Sequence, residues 1–126
     1  MKLSLLFLCI ALVLETRSAY TTTSEIGTWD EVKKLCEDDG KVLASPHPEV
    51  IHQIAQTCPE SFCYVGISGS KKKGWTWLDG SNGVIRWATD DPYENGHTCL
   101  GLAKIGSNAD KMSNFRCNLK FRGICQ

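Results

Sequence analysis

The chain has 126 residues, carries 14 basic and 14 acidic side chains, and includes seven cysteines in a composition that is 42% hydrophobic. This charge balance excludes the general attraction by which basic domains hold nucleic acid or anionic membranes. A chain of this size buries only about two-thirds of its unfolded surface, which points to one domain whose modest core cross-links would support.

The basic start Met1-Lys2, the apolar run Leu3 to Leu14 and the small residues Ser18 and Ala19 read as a secretory signal cut after Ser18. The expected organisation is a leader over 1–18 and a single domain over 19–126. The apolar run is too short to span a bilayer and no later segment substitutes for it, so the expected location is secreted and extracellular, without a membrane span. Cys9 leaves with the leader. Cys36, Cys58, Cys63, Cys99, Cys117 and Cys125 remain, an even set of the kind that forms disulfide frameworks outside the cell, with several complete pairings open. Structural zinc is the rival use, but Cys58 and Cys63 have no second close pair to complete a tetrahedral set in sequence.

Thr28 opens the first strong pattern, because it can cap helical amides while Glu31, three residues later, completes a capping box. Val32, Leu35 and Cys36 then share a face at helical spacing until Gly40 stops the helix. Val42 to Ala44 reads as extended and Ser45 to Glu49 as a proline turn. A second helical face follows from Val50, Ile51, Ile54 and Ala55. His47 and His52 lack metal spacing and read as surface or cap residues.

Tyr64 to Ile67, Trp75 to Leu78 and Val84 to Trp87 are β-prone runs separated by Ser68-Gly69-Ser70, a lysine turn, Asp79-Gly80 and Asn82-Gly83, which predicts a compact antiparallel sheet. Trp75 and Trp77 lie on one side of an ideal strand, where core packing competes with an aromatic platform for sugar. From Thr89 to His97 the regular patterns stop, and Asp90, Asp91, Glu94 and Asn95 gather around Pro92. Oxygen ligands in such a loop suit a hard cation, and equally a solvated turn. Cys99 to Leu102 resumes a β pattern, and Phe115 to Cys117 and Phe121 to Cys125 read as two further extended pieces.

In their order and spacing these residues resemble a C-type lectin-like domain over nearly all of 19–126. Trp29 through Cys36 is similar to that family's first helix, and Gly40 to Ser45 to the segment after it. Tyr64-Val65-Gly66-Ile67 is similar to its core strand motif, Trp75 to Ser81 with Trp87 to the next part, and Cys99, Cys117 and Ile124-Cys125 to its cysteine framework. The resemblance implies an α+β fold, with two short helices, a twisted antiparallel β-sheet and a long irregular loop, stabilised by disulfides. It implies the pairs Cys36–Cys125 and Cys99–Cys117, leaving Cys58 and Cys63 to close a local loop.

Sugar-binding members of the family hold calcium through an acid-Pro-amide motif, an acid two residues before the fourth framework cysteine, and a Trp-Asn-Asp set before the next. Here Asp91-Pro92-Tyr93 stands at the first motif, with a cis Pro92 implied, His97 at the second position and Met112-Ser113-Asn114 at the third. A modified calcium site would draw on Asp90, Asp91, Glu94, Asn95 and Asn114. The sugar-contacting surface implied is Asp91, Glu94, Asn95, Ser113 and Asn114, with Tyr93 or Trp87 stacking on an apolar sugar face. Lys71, Lys72 and Lys73 form a separate positive patch suited to sulfated or phosphorylated glycans, bacterial polymers or an acidic protein.

The function implied is a secreted carbohydrate-recognition protein, calcium-dependent, that binds microbial surface glycans in innate immunity. The rival is a calcium-independent domain that recognises a protein or an anionic glycan. No nucleophile, base and orienter are arranged for catalysis, and an enzyme is not expected.

Overall fold

The computed structural model describes residues 19–93 and 96–126. The expected leader, Glu94 and Asn95 lie outside the described residues.

The first helix, α1 (Trp29–Asp38), begins with the expected capping box. Thr28 Oγ1 accepts from the Glu31 amide at 3.3 Å, and Glu31 Oε1 accepts from the Thr28 amide at 2.9 Å. The bond from the Thr28 backbone, followed by the Thr28 side chain, holds the Glu31 carboxyl below its usual pKa. Gly40 ends the helix segment in the left-handed region, with φ of 71°. The second helix, α2 (Ile51–Thr57), turns Ile51, Ile54 and Ala55 inward.

The main sheet has four antiparallel strands in the order β3–β2–β4–β5, with β2 at Phe62–Ser70, β3 at Gly74–Trp77, β4 at Thr98–Ala103 and β5 at Met112–Phe115. A second, two-stranded sheet pairs β1 (Thr21–Thr22) with β6 (Ile124–Cys125). Side chains alternate across the central strands. Val65 and Ile67 of β2, with Leu100 and Leu102 of β4, face α2, Trp77 and Met112. Tyr64 and Cys99 face the opposite way, toward Trp29, Val32 and Cys36 of α1 and Leu43. The sheet thus carries apolar packing on both faces, which explains the nearly continuous burial of β2 and β4.

The register of β2 against β4 slips between Tyr64 and Ser68, so the backbone there needs other partners. Trp29 Nε1 donates to the Val65 carbonyl at 2.9 Å, the Gly66 amide donates to the Ala44 carbonyl at 2.8 Å, and the Gly66 carbonyl accepts from Leu78 at 2.9 Å. A Cβ on Gly66 would lie 2.6 Å from the Leu43 carbonyl oxygen, so the close crossing of these segments requires glycine.

Two sequence expectations are corrected. Val84 to Trp87 forms no strand, because only Trp87 bridges to Met112 and Val84 is 69% exposed, leaving its β-branched side chains without a ladder to join. The strand expected at Phe115 to Cys117 runs instead over Met112–Phe115, since the Cys117 carbonyl is taken by the Trp29 amide at 3.0 Å. The disulfides are Cys36–Cys125, Cys58–Cys63 and Cys99–Cys117, with Cα separations of 5.5, 5.9 and 5.1 Å, inside the usual span for such bridges.

Candidate functional site

The acidic loop leaves the sheet after Ala88, whose carbonyl accepts from the Asp91 amide at 3.1 Å. Asp90 is exposed with φ of 68°, Asp91 is half-buried, and the Asp91–Pro92 bond is cis. Tyr93 is 65% exposed, so its ring is open to a ligand, while Trp87 is half-buried and meets Trp75 edge to face at 4.9 Å. Trp77 is buried in the core.

Across from this loop, the β4–β5 register pairs Leu100 with Asn114 and Gly101 with Ser113. Alternation then turns Asn114 into the sheet, where it is buried, and leaves Ser113 half-exposed. Asn114 Nδ2 donates to Thr98 Oγ1 at 3.4 Å, and Thr98 Oγ1 donates to the Gly69 carbonyl at 3.4 Å. These are long hydrogen bonds, but together they link β5, β4 and β2 at one end of the sheet. Asn114 Oδ1 is buried without a partner among the described residues.

Of the five residues that the resemblance assigns to calcium, Glu94 and Asn95 lie outside the described residues, so the donors that can be placed are Asp90, Asp91 and Asn114. Calcium takes about six to eight oxygens, with carboxylates prominent among them. Among the described residues Asp90 and Asp91 join no group of three metal-ligating side chains. Asn114 offers one inward oxygen, and Tyr93 and His97 replace an amide and an acid. One cluster does form: ligand atoms of His97, Cys99 and Cys117 lie within 4.8 Å of one another. Its two sulfurs are already joined as a disulfide, which removes the thiolate character that metal binding requires.

A second concave feature adjoins this loop through Gly96 and His97. A cavity of about 460 Å3 is lined by residues 68–70 of β2, 72–74 of the turn into β3, Thr76, Gly96 and His97. Lys72, Lys73 and His97 supply its cationic or ionisable side chains, Ser68, Ser70 and Thr76 its hydroxyls, and no described acidic residue lines it. Ser70 Oγ accepts from the Lys73 amide at 2.9 Å, fixing the turn that carries the lysines. A Cβ on Gly69 would lie 2.1 Å from the Gly74 carbonyl oxygen, so this hairpin closes too tightly for any side chain there. Sequence reasoning found the lysines as a patch but did not connect them with His97, which follows Gly96 on a different segment.

His47 is not a plain surface residue. Its ring stacks on Trp77 at 4.7 Å and 15°, and Nε2 lies 3.0 Å from Asp79 Oδ2 and 3.3 Å from Ser81 Oγ. Asp79 also accepts from the Ser81 amide at 2.9 Å. Partial burial raises the Asp79 pKa, but the bonds from Ser81 and His47 outweigh it and hold the carboxyl well below its usual range. The Ser45 hydroxyl adds a weaker pull without meeting hydrogen-bond geometry, and it is buried without a partner. Because one ring nitrogen serves both Asp79 and Ser81, this is a loop clasp rather than a proton relay. His52 Nδ1 meets Asp110 Oδ2 at 2.7 Å on the surface.

This combination defines a lectin-type recognition domain, and the chain belongs to the family of the Lectin C-type domain, which matches residues 25–126. Among solved structures, the carbohydrate-recognition domain of mouse scavenger receptor C-type lectin is 25% identical, with 84% of each chain covered and a TM-score of 0.68. A calcium-independent type II antifreeze protein is 22% identical, with 84% of this chain and 82% of that chain covered and a TM-score of 0.70. The C-type lectin domain of murine dendritic cell inhibitory receptor 2, solved in complex with N-glycan, is 14% identical over 84% of this chain and 87% of that chain, with a TM-score of 0.73. The likeness to these last two shows the fold. No curated protein sequence matches the chain significantly. These relatives are described as lectin-type and antifreeze proteins. Among the described residues no helix is long and apolar enough to cross a membrane.

Proposed function

We propose that this is a secreted carbohydrate-recognition protein, released after removal of residues 1–18, that binds glycans of microbial surfaces in innate immunity without relying on calcium. Membership of the C-type lectin domain family supports carbohydrate recognition. The observation that carries the calcium-independent form is the burial of Asn114, whose amide is turned to Thr98 rather than to the loop of Asp91. Tyr93, 65% exposed, offers a ring for an apolar sugar face. A calcium-dependent second reading is favoured by the buried, unpartnered Asn114 Oδ1, an acceptor free to receive a cation.

The test is binding of the oxidised protein to a mixed mammalian and microbial glycan array, in millimolar calcium and in chelator at constant ionic strength. Binding retained in chelator and by Asp91→Ala is expected. Loss under both conditions of interference establishes the calcium-dependent reading instead. An array empty in calcium and in chelator overturns glycan recognition and favours a protein partner.

A further inference from the structure

We propose that the cavity between the β2–β3 turn and His97 is a binding site for the sulfate or phosphate ester of an anionic sugar. This rests on the glycan-recognition reading above and names the ligand class of a particular face. Lys72 and Lys73 of one turn and His97 of another segment line a space of about 460 Å3, within the roughly 300–1,000 Å3 of small-molecule pockets. Each ammonium offers only donors, and a tetrahedral ester group offers only acceptors around a negative charge, so the two are matched in sign and hydrogen-bonding type. A neutral sugar would partly desolvate Lys72 and Lys73 without returning a counter-charge.

The surrounding hydroxyls suit the rest of such a ligand. Ser70 Oγ already accepts from the Lys73 amide, so its own proton remains available to an acceptor in the cavity. Thr76 and Ser68 add groups that can donate to or accept from sugar hydroxyls. An ideal Cβ at Gly96 meets nothing within 4 Å, which leaves that side of the cavity open for the remainder of a glycan.

The walls are held before any ligand arrives. Gly69 lies under the Thr98 hydroxyl, and Thr98 is in turn bonded by Asn114. Asn114 thereby braces the end of the sheet that supports the cavity instead of reaching toward the acidic loop. The tight Gly69–Gly74 approach fixes the hairpin from which Lys72 and Lys73 project, and such pre-ordering lowers the entropy lost on binding. The domain as a whole is near neutral, so the attraction is confined to this face and weakens as salt screens it.

The probes are N-acetylglucosamine 6-sulfate, N-acetylglucosamine 6-phosphate and unsubstituted N-acetylglucosamine, titrated into the full oxidised domain in chelator and followed by backbone amide NMR. At least one ester should shift amides of residues 68–76 and 97, with the unsubstituted sugar much weaker, and the sulfate and phosphate arms identify the preferred source. Lys72→Gln with Lys73→Gln should weaken that ester about tenfold. Lys34→Gln with Lys120→Gln, which removes the same charge elsewhere, should leave affinity unchanged. An unperturbed spectrum outside the substituted turn verifies folding, and Thr76→Val provides an independent variant that should also weaken the ester.

Equal weakening by both lysine pairs, shifts confined to residues 91–93 and 113–114, or no response to either ester overturns the site. Failure here with neutral glycans bound on the array leaves the glycan-recognition reading standing. Ester binding in the cavity with an empty array leaves this site standing and removes the broader reading.

Discussion

The Tyr64 hydroxyl donates between two carbonyls, at 2.7 Å from Leu119 and 3.2 Å from Arg116, while its ring is buried against Phe121. Burial pushes its pKa from 10.0 up to about 12. The folded value lies above the unfolded one, so the stabilisation is complete below pH 10.0 and is lost as the pH rises through about 12. Urea unfolding across that interval should lose about 2–3 kcal/mol from this group. Tyr64→Phe should lower stability near neutrality by about 1 kcal/mol and flatten the alkaline loss; an unchanged alkaline slope would remove Tyr64 as its cause. The residue scale also shows where sequence reading stops. Tyr93 was legible as exposed because turn residues surround it, whereas the direction of Asn114 depends on a register with Leu100 that no local pattern encodes.

Individual elements were legible where their signals are local. The Thr28–Glu31 box and Gly40 bracket α1 because capping chemistry acts within a few residues. The Val84–Trp87 run misled because β propensity describes fit to a neighbouring strand, and only Trp87 finds one. The clasp of His47 with Trp77, Asp79 and Ser81 was invisible for the related reason that the histidine and its partners lie on segments about thirty residues apart in sequence. It fastens the proline turn to the end of β3. Because the Asp79 pKa is lowered from 3.8, its contribution is present above that value and disappears only as the pH falls through the lower folded value. Asp79→Asn should therefore cost about 0.5–1 kcal/mol at pH 7, allowing for solvent screening, with the deficit retained at pH 4. Urea unfolding at both pH values checks this, and a variant as stable as the parent at pH 7 would mean that the clasp does not secure the turn.

At the scale of the molecule, the three disulfides close loops of very different length, with sequence separations of 89, 18 and 5 for Cys36–Cys125, Cys99–Cys117 and Cys58–Cys63. The chain-entropy argument assigns them about 4–5, 3 and 2 kcal/mol in that order. Paired cysteine-to-alanine variants, compared by their urea midpoints, should follow this ranking; equal losses would show that local packing outweighs loop closure. The fold class and the pairings followed from resemblance across the whole chain, but the union of Lys72 and Lys73 with His97 emerged only in three dimensions. The long strand β2 has a further consequence. Near its beginning Tyr64 bridges to Gly123, beside the β1–β6 pair, and at its end it turns into the lysine cavity. From Tyr64 to Ser70 the strand runs roughly 20 Å, and none of residues 19–22 or 124–126 lines the cavity. A scaffold joined at Gln126 would attach outside the cavity lining, and a dense layer of such copies would gain avidity without any remodelling of the domain.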